Sequence, residues 1–227
     1  MKRKIGILMM VTMLTFCLCS CAKKSDYSGE IQVIQNGLQK DMELDSGTIY
    51  RKIIVSPTNK SIDNFSSEMI LESQSEFTKD GEYINCEKKE TQNYNGEILE
   101  SNFKNGEDGY YIMDGEGNWQ LYSEYKTDFM DEQYTYVDLD FQSSDIETMK
   151  IEKGDTETTY IFQVSKSYIK SENEELGEGN KVKSVQIECT LDSEGYLAKL
   201  SCVREDETTM NEATDILHTE MIIEYTR

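Results

Sequence analysis

The chain is poor in the residues that most often carry catalysis. Its 227 residues include one histidine, one tryptophan and one proline. A single histidine excludes a His-cluster zinc centre, and neither an HExxH nor a CxxC pattern is present. There is no Gly-x-Ser-x-Gly elbow to present a nucleophilic serine. Neither a phosphate-cradling GxxxxGK[ST] loop nor a dinucleotide fingerprint occurs. No catalytic residue, metal or cofactor is therefore expected. Basic residues are also scarce: 23 Lys and Arg stand against 44 Asp and Glu, a formal net charge of −21. That balance excludes nucleic-acid binding, because phosphates are met by Lys and Arg. It also argues against broad contact with an anionic membrane surface. The longest apolar run, residues 5–16, is shorter than the roughly 20 residues that span a bilayer. Hydrophobic content is only 37%, yet 14 Tyr and 7 Phe are enough to exclude wholesale disorder.

The N-terminus has the three-part order of a secretory signal. Lys2, Arg3 and Lys4 are basic, Ile5 to Phe16 are almost wholly apolar, and Leu18-Cys19-Ser20-Cys21 follows. This run resembles the lipobox of a bacterial lipoprotein, with Leu18 three residues and Ser20 one residue before Cys21. Cys19 and Cys17 fit worse, because bulky Leu18 and Phe16 precede them. The resemblance implies a signal peptide over 1–20, a diacylglyceryl lipid on Cys21, and a polar tether over 21–30. Two acyl chains give stable membrane attachment where one does not. The expected location is the extracytoplasmic face of a cell membrane. Ordinary cleavage after Ala22, giving a secreted protein, is the alternative. Loss of residues 1–20 removes three basic and no acidic residues, so the lipid would be the sole attachment of a strongly acidic domain.

Residues 31–227 read as a single β-rich domain. Ile31, Ile34, Leu38 and Met42 have helical spacing, although Asn36-Gly37 is also a turn signal. From about residue 47 onward, alternating segments are punctuated by turn dipeptides, Asn95-Gly96 being the strongest. Residues 123–149 are expected to be helical or irregular, with Tyr122, Tyr125 and Phe129 on one helical face and a Ser144/Glu147 capping box. Tyr160, Phe162, Val164 and Tyr168 are expected on one face of a long strand, followed by an acidic loop over 171–180. A hairpin near Asp192-Ser193-Glu194-Gly195 with Leu191 opposite Tyr196 would put Cys189 opposite Ala198. Cys202 would then lie beyond bridging distance. Cys86, Cys189 and Cys202 are expected as buried thiols. An acidic loop is expected over 205–214, with a closing strand carrying Leu217, Met221, Ile223 and Tyr225.

The fold class expected is mainly β (α+β): a curved antiparallel half-barrel sheet whose apolar face is covered by short helical segments. The order of elements is similar to the Lol-type lipoprotein-carrier fold and its Gram-positive relatives. Three features carry the likeness. These are the lipobox and tether, the Tyr110-Tyr111-Ile112-Met113-Asp114-Gly115 strand and turn leading to Trp119, and the closing segments Thr190 to Lys199 and Glu220 to Tyr225. The resemblance implies a cavity for lipid or another apolar ligand. The aromatic faces Tyr110/Ile112 and Tyr160/Phe162/Val164/Tyr168 are its candidate walls, with core packing as the competing use. The leading expectation is a non-enzymatic lipoprotein that binds an apolar ligand or lipid. The alternative is a protein-interaction or envelope-sensing module without a cavity, with an envelope protein as partner. A cell-wall or carbohydrate enzyme is the third reading. His218 is expected on the polar face of the last strand beside Glu220 and Glu224. Asp114-Gly115-Glu116-Gly117-Asn118 is expected as a hairpin turn, since Trp119 and Tyr125 occupy the positions where a calcium loop needs Gly and Glu.

Overall fold

The computed structural model describes residues 25–62, 67–80, 83–106, 109–123, 141–176, 179–210 and 212–227. Cys21, Tyr125 and Phe129 lie outside the described residues. The described chain forms one open antiparallel sheet of 11 strands with two short helices. Helix α1 (Ser28–Met42) comes first. A meander follows: β1 (Ser46–Pro57), β2 (Met69–Asp80), β3 (Tyr83–Tyr94), β4 (Glu97–Gly106), β5 (Gly109–Met113) and β6 (Trp119–Ser123). The chain then passes to the opposite edge of the sheet. A second meander runs back through β7 (Ile146–Lys153), β8 (Glu157–Val164), helix α2 (Lys166–Glu175), β9 (Asn180–Asp192), β10 (Leu197–Met210) and β11 (Ala213–Thr226). The spatial order is β6-β5-β4-β3-β2-β1-β11-β10-β9-β8-β7, so the β1–β11 pair joins two wings.

Alternation along the strands sends one set of side chains to the helix-covered face. Ile49, Ile187, Leu197, Leu200, Met221 and Ile223 are almost fully buried there. Each such side chain stabilises the fold by about 1.5–3 kcal/mol. Helix α1 buries Ile31, Ile34 and Leu38 against β9 and β10, which its helical spacing requires. The helix starts at Ser28, inside the segment expected as tether, where the Asp26 carboxylate accepts the Ser28 N–H at 3.0 Å. Gly37 sits inside this helix and is not a turn. A Cβ built on it would lie 2.6 Å from Leu191 Cδ2 and 3.2 Å from the Gly195 carbonyl oxygen. Gly37→Ala normally helps a helix. Here it should lower stability by about 1–3 kcal/mol through overpacking, which a urea midpoint would reveal.

Four sequence expectations are corrected. The strand holding Tyr160, Phe162 and Val164 ends at Val164, and Tyr168 belongs to α2. Ser165 caps that helix by accepting the Tyr168 N–H at 3.3 Å, so residues 166–175 are helical and not a strand end and loop. Asn173 docks the helix by exchanging two hydrogen bonds with the Val182 backbone. The Ser144/Glu147 pair starts no helix: Ser143–Asp145 is one 3-10 turn closed by Gln142 and Asp145, and Glu147 lies in β7. In the β9–β10 hairpin Leu191 faces Leu197, and a bulge then sets Cys189 opposite Leu200 and Cys202 opposite Ile187. The two sulfurs are thus two residues apart in register, not four. Both remain free thiols. Burial pushes both up, Cys202 to about 11, so neither is a nucleophile. Cys86 is also buried. Finally, residues 205–210 and 213–214 belong to a long β10–β11 hairpin, where Lys183–Glu207 and Arg204–Asp206 ion pairs tie down its acidic groups.

Asp215 ends that hairpin's buried side. Its carboxylate accepts the backbone N–H groups of Asn59 at 2.8 Å and Ser61 at 2.7 Å. Burial raises its carboxyl, but these N–H donors outweigh that and hold it below the ordinary value. Asp215→Ala should release the loop after β1. Hydrogen exchange at Asn59 and Ser61 should accelerate about tenfold or more.

Candidate functional site

The two wings treat their inner faces differently. On β8 the side chains of Phe162 and Val164 are 2% and 1% exposed. Phe141 packs edge-on to Phe162 with ring centroids 5.5 Å apart, and lies 5.6 Å from the Tyr168 ring on α2. Tyr160 packs on the rim of the same cluster. These four candidate wall residues are therefore brought together as packed core. Tyr110 and Ile112 lie on β5, near the other edge of the sheet, and do not meet them.

The second set belongs to a graded surface on β1–β6. Register places Ile49 opposite Ser75, Ser75 opposite Lys88, Lys88 opposite Phe103, and Phe103 opposite Ile112. The adjacent row runs Arg51, Ser73, Glu90 and Ser101. Near β1 this face is buried and sets polar groups among Ile49, Ile53, Phe77 and Cys86. Glu90 Oε2 lies 3.5 Å from Lys88 Nζ and 3.9 Å from the Arg51 guanidinium. The Ser73 and Ser75 hydroxyls are buried and have no hydrogen-bond partner among the described residues. Toward β6 the same face becomes aromatic. Lys88 Nζ sits 4.9 Å from the Phe103 ring centroid, a cation–π contact. Phe103 and Tyr110 stack with centroids 5.4 Å apart at 6°, and Tyr122 meets Tyr110 edge-on at 6.2 Å. The ladder ends exposed: Tyr122 is 67% and Leu99 is 62% accessible.

Phe103, Tyr122, Leu99, Lys88 and Ser75 were not singled out as site residues from sequence. The Asn95-Gly96 hairpin carries the signal that could have found them. Both residues have positive φ, 56° and 81°, as a type I′ turn demands. That turn sets the register that puts Phe103 beside Lys88. A buried hydroxyl without a partner costs about 1–3 kcal/mol. Ser75→Ala should accordingly stabilise the unliganded protein by about 1 kcal/mol in chemical denaturation.

The Ser56–His218 pair is not arranged as nucleophile and base. His218 faces Ser56 across β1–β11. The Ser56 hydroxyl, however, donates to Glu68 at 3.0 Å, and His218 Nε2 lies 3.1 Å from Glu220. No described group of three or more His, Cys, Asp or Glu side chains is placed to hold a metal. Asp114 accepts the N–H groups of Glu116 and Asn118, both at 2.9 Å. The hydrogen bond from Asn118 leads those that hold its carboxyl below the ordinary value. The segment is the expected hairpin turn.

No family model matches the chain, and no curated protein matches it. Among solved structures it is similar to a DUF1329 family protein from Desulfovibrio piger, at 11% identity, TM-score 0.23, and coverage of 89% of this chain and 92% of the other. It is also similar to a tesB protein of Mycobacterium avium subs paratuberculosis, at 7% identity, TM-score 0.14, and coverage of 87% and 85%. Likenesses at these TM-scores carry no argument about fold or function.

Proposed function

We propose that this chain is an extracytoplasmic lipoprotein, anchored through Cys21, that binds an apolar ligand without chemical turnover. The ligand, a lipid or other apolar molecule, lies on the inner face of β3–β6. The observation that supports this reading is the Phe103–Tyr110–Tyr122 ladder, which runs from buried polar groups out to exposed aromatic surface. Apolar side chains presented this way on a curved sheet are unusual for a face with no role, because a sheet normally covers its apolar face. The core-filled wing supplies rigidity and the aromatic wing supplies contact.

Mass spectrometry of the purified protein should find co-purifying lipid, and Tyr110→Ala should lose most of it. Clean protein with no bound lipid would sink the apolar-ligand reading. The exposed Leu99 and Tyr122 then favour the second reading, in which the same patch docks an envelope protein. Anchoring has its own test. Cys21→Ser should move the protein from the membrane fraction into the medium. Unchanged retention would refute the lipid assignment.

A further inference from the structure

On the opposite face of the same wing, two cross-strand rows run side by side. One row contains Gln74, Lys89 and Asn102, and Met113 stands opposite Trp119 at its far end. Asn102 Nδ2 lies 4.0 Å from Met113 Sδ, which joins the two parts. The other row runs Glu76, Glu87, Lys104, Tyr111 and Leu121. Both rows are polar toward β2 and apolar toward β6. Between them lies a cavity of about 340 Å³ lined by Gln74, Glu76, Glu87, Lys89, Asn102, Met113 and Trp119, with Lys88 and Phe103 of the intervening strand positions also reaching it. That is the small end of the range for ligand pockets.

The groups in and beside the cavity have a specific chemistry, although Lys104 and Tyr111 stand next to the lining and not in it. Lys104 Nζ is held over aromatic rings, 4.6 Å from the Trp119 centroid and 5.6 Å from that of Tyr111. Glu76 and Glu87, directly opposite each other, are like charges that weaken the pair. A lipid tail here would desolvate those carboxylates at high cost, and a phosphate would be repelled by them. A ligand that matches both ends needs an apolar face and a rim of groups that both donate and accept hydrogen bonds. A sugar ring has both: its C–H face suits Trp119 and Met113, and its hydroxyls can donate to Glu87 and accept from Lys89 and Asn102. We propose that this cleft on the outer face of β2–β6 binds a short neutral saccharide.

Trp119 is the single tryptophan of the chain, so fluorescence excited selectively at tryptophan, beyond the absorption of the 14 tyrosines, reports on this cleft. The full chain, purified in detergent, is titrated with cellotetraose, maltotetraose and tetra-N-acetylchitotetraose. At least one should give a saturable shift of the emission below about 10 mM. Asn102→Ala and Gln74→Ala should each weaken that binding about tenfold, while their thermal unfolding stays that of the parent. No saturable shift with any of the three sugars overturns the proposal. So does a shift that both variants leave unchanged, or one that a lysine-rich peptide produces while the sugars do not. Tyr110→Ala, on the inner face, should leave the titration intact. Loss of lipid and loss of saccharide binding therefore report separately.

Discussion

The stability advantage of the parent protein over Asp41→Asn is expected to shrink by about 2 kcal/mol as pH rises from about 4 to about 7. Asp41 lies near the end of α1 and is 0% exposed. Its Oδ2 accepts the Leu197 N–H at 2.6 Å, and its Oδ1 lies 3.6 Å from the Arg227 guanidinium. Arg227 is shared: it also bonds Asp192, donates to the Leu197 carbonyl at 3.0 Å, and lies 4.3 Å from the Tyr196 ring centroid. Burial dominates at Asp41 and raises its carboxyl to about 6, against the lowering by the Leu197 N–H and by Arg227.

A carboxyl whose folded value lies above its unfolded one contributes most in acid. That contribution is complete below about 4 and is lost as pH rises through about 6. Asp192 acts in the opposite sense: its carboxyl is held low despite burial, by the Tyr196 N–H and Arg227. Its contribution is present above its unfolded value and disappears only in stronger acid. The window between pH 4 and 6 therefore belongs to Asp41. Asp41→Asn keeps an acceptor for Leu197 and removes the titration, so subtracting the two pH profiles isolates the group. Asp41→Ala should lie a further 1–3 kcal/mol or so below Asp41→Asn at every pH, because the buried Leu197 N–H loses its acceptor. Chemical denaturation at three pH values measures both. A constant difference between parent and Asp41→Asn would show that the carboxyl is not desolvated in solution.

The strand pattern and the composition of most faces were legible in the sequence, because period-2 alternation is written residue by residue. The closing strand is an example: Leu217, Met221, Ile223 and Tyr225 share its inner face, with His218 and Glu220 on the other. Helix α1 was legible for the same kind of reason, through Ile31, Ile34 and Leu38. What failed depends on long-range pairing or on ambiguous spacing. Val164 and Tyr168 are four residues apart, a separation that suits both a strand and a helix. The Ser165 cap decides between them, and its sequence context suits a strand equally well. The β9–β10 bulge shifts the register of Cys189 and Cys202, and no local signal marks it. Residues 205–214 looked like a loop because they are acidic. Pairing of 205–210 with β11, and of Glu207 with Lys183, makes them strand. The candidate site was only half legible. Aromatic faces could be named, but which of them a helix would cover depends on α2, whose existence was missed.

That division between the wings leads to the second large effect. Phe162→Ala should cost about 3–5 kcal/mol, because the ring is 2% exposed and packed against Phe141 and under the helix layer. Tyr122→Ala removes a ring of similar size that is 67% exposed. It should change stability by no more than about 0.5 kcal/mol. The two substitutions delete comparable aromatic area from the inner face of one continuous sheet, so the contrast isolates what the helices do. Ligand retention should separate them in the opposite direction. Tyr122→Ala, folded at full stability, should bind the co-purifying lipid more weakly. Phe162→Ala should lose lipid only to the extent that it unfolds, and should recover it where a stabilising osmolyte restores the fold. Equal stability losses for the two would mean that the aromatic wing is covered in solution as fully as the core wing. The ladder of Phe103, Tyr110 and Tyr122 would then be structural, and ligand binding on that face would fail with it.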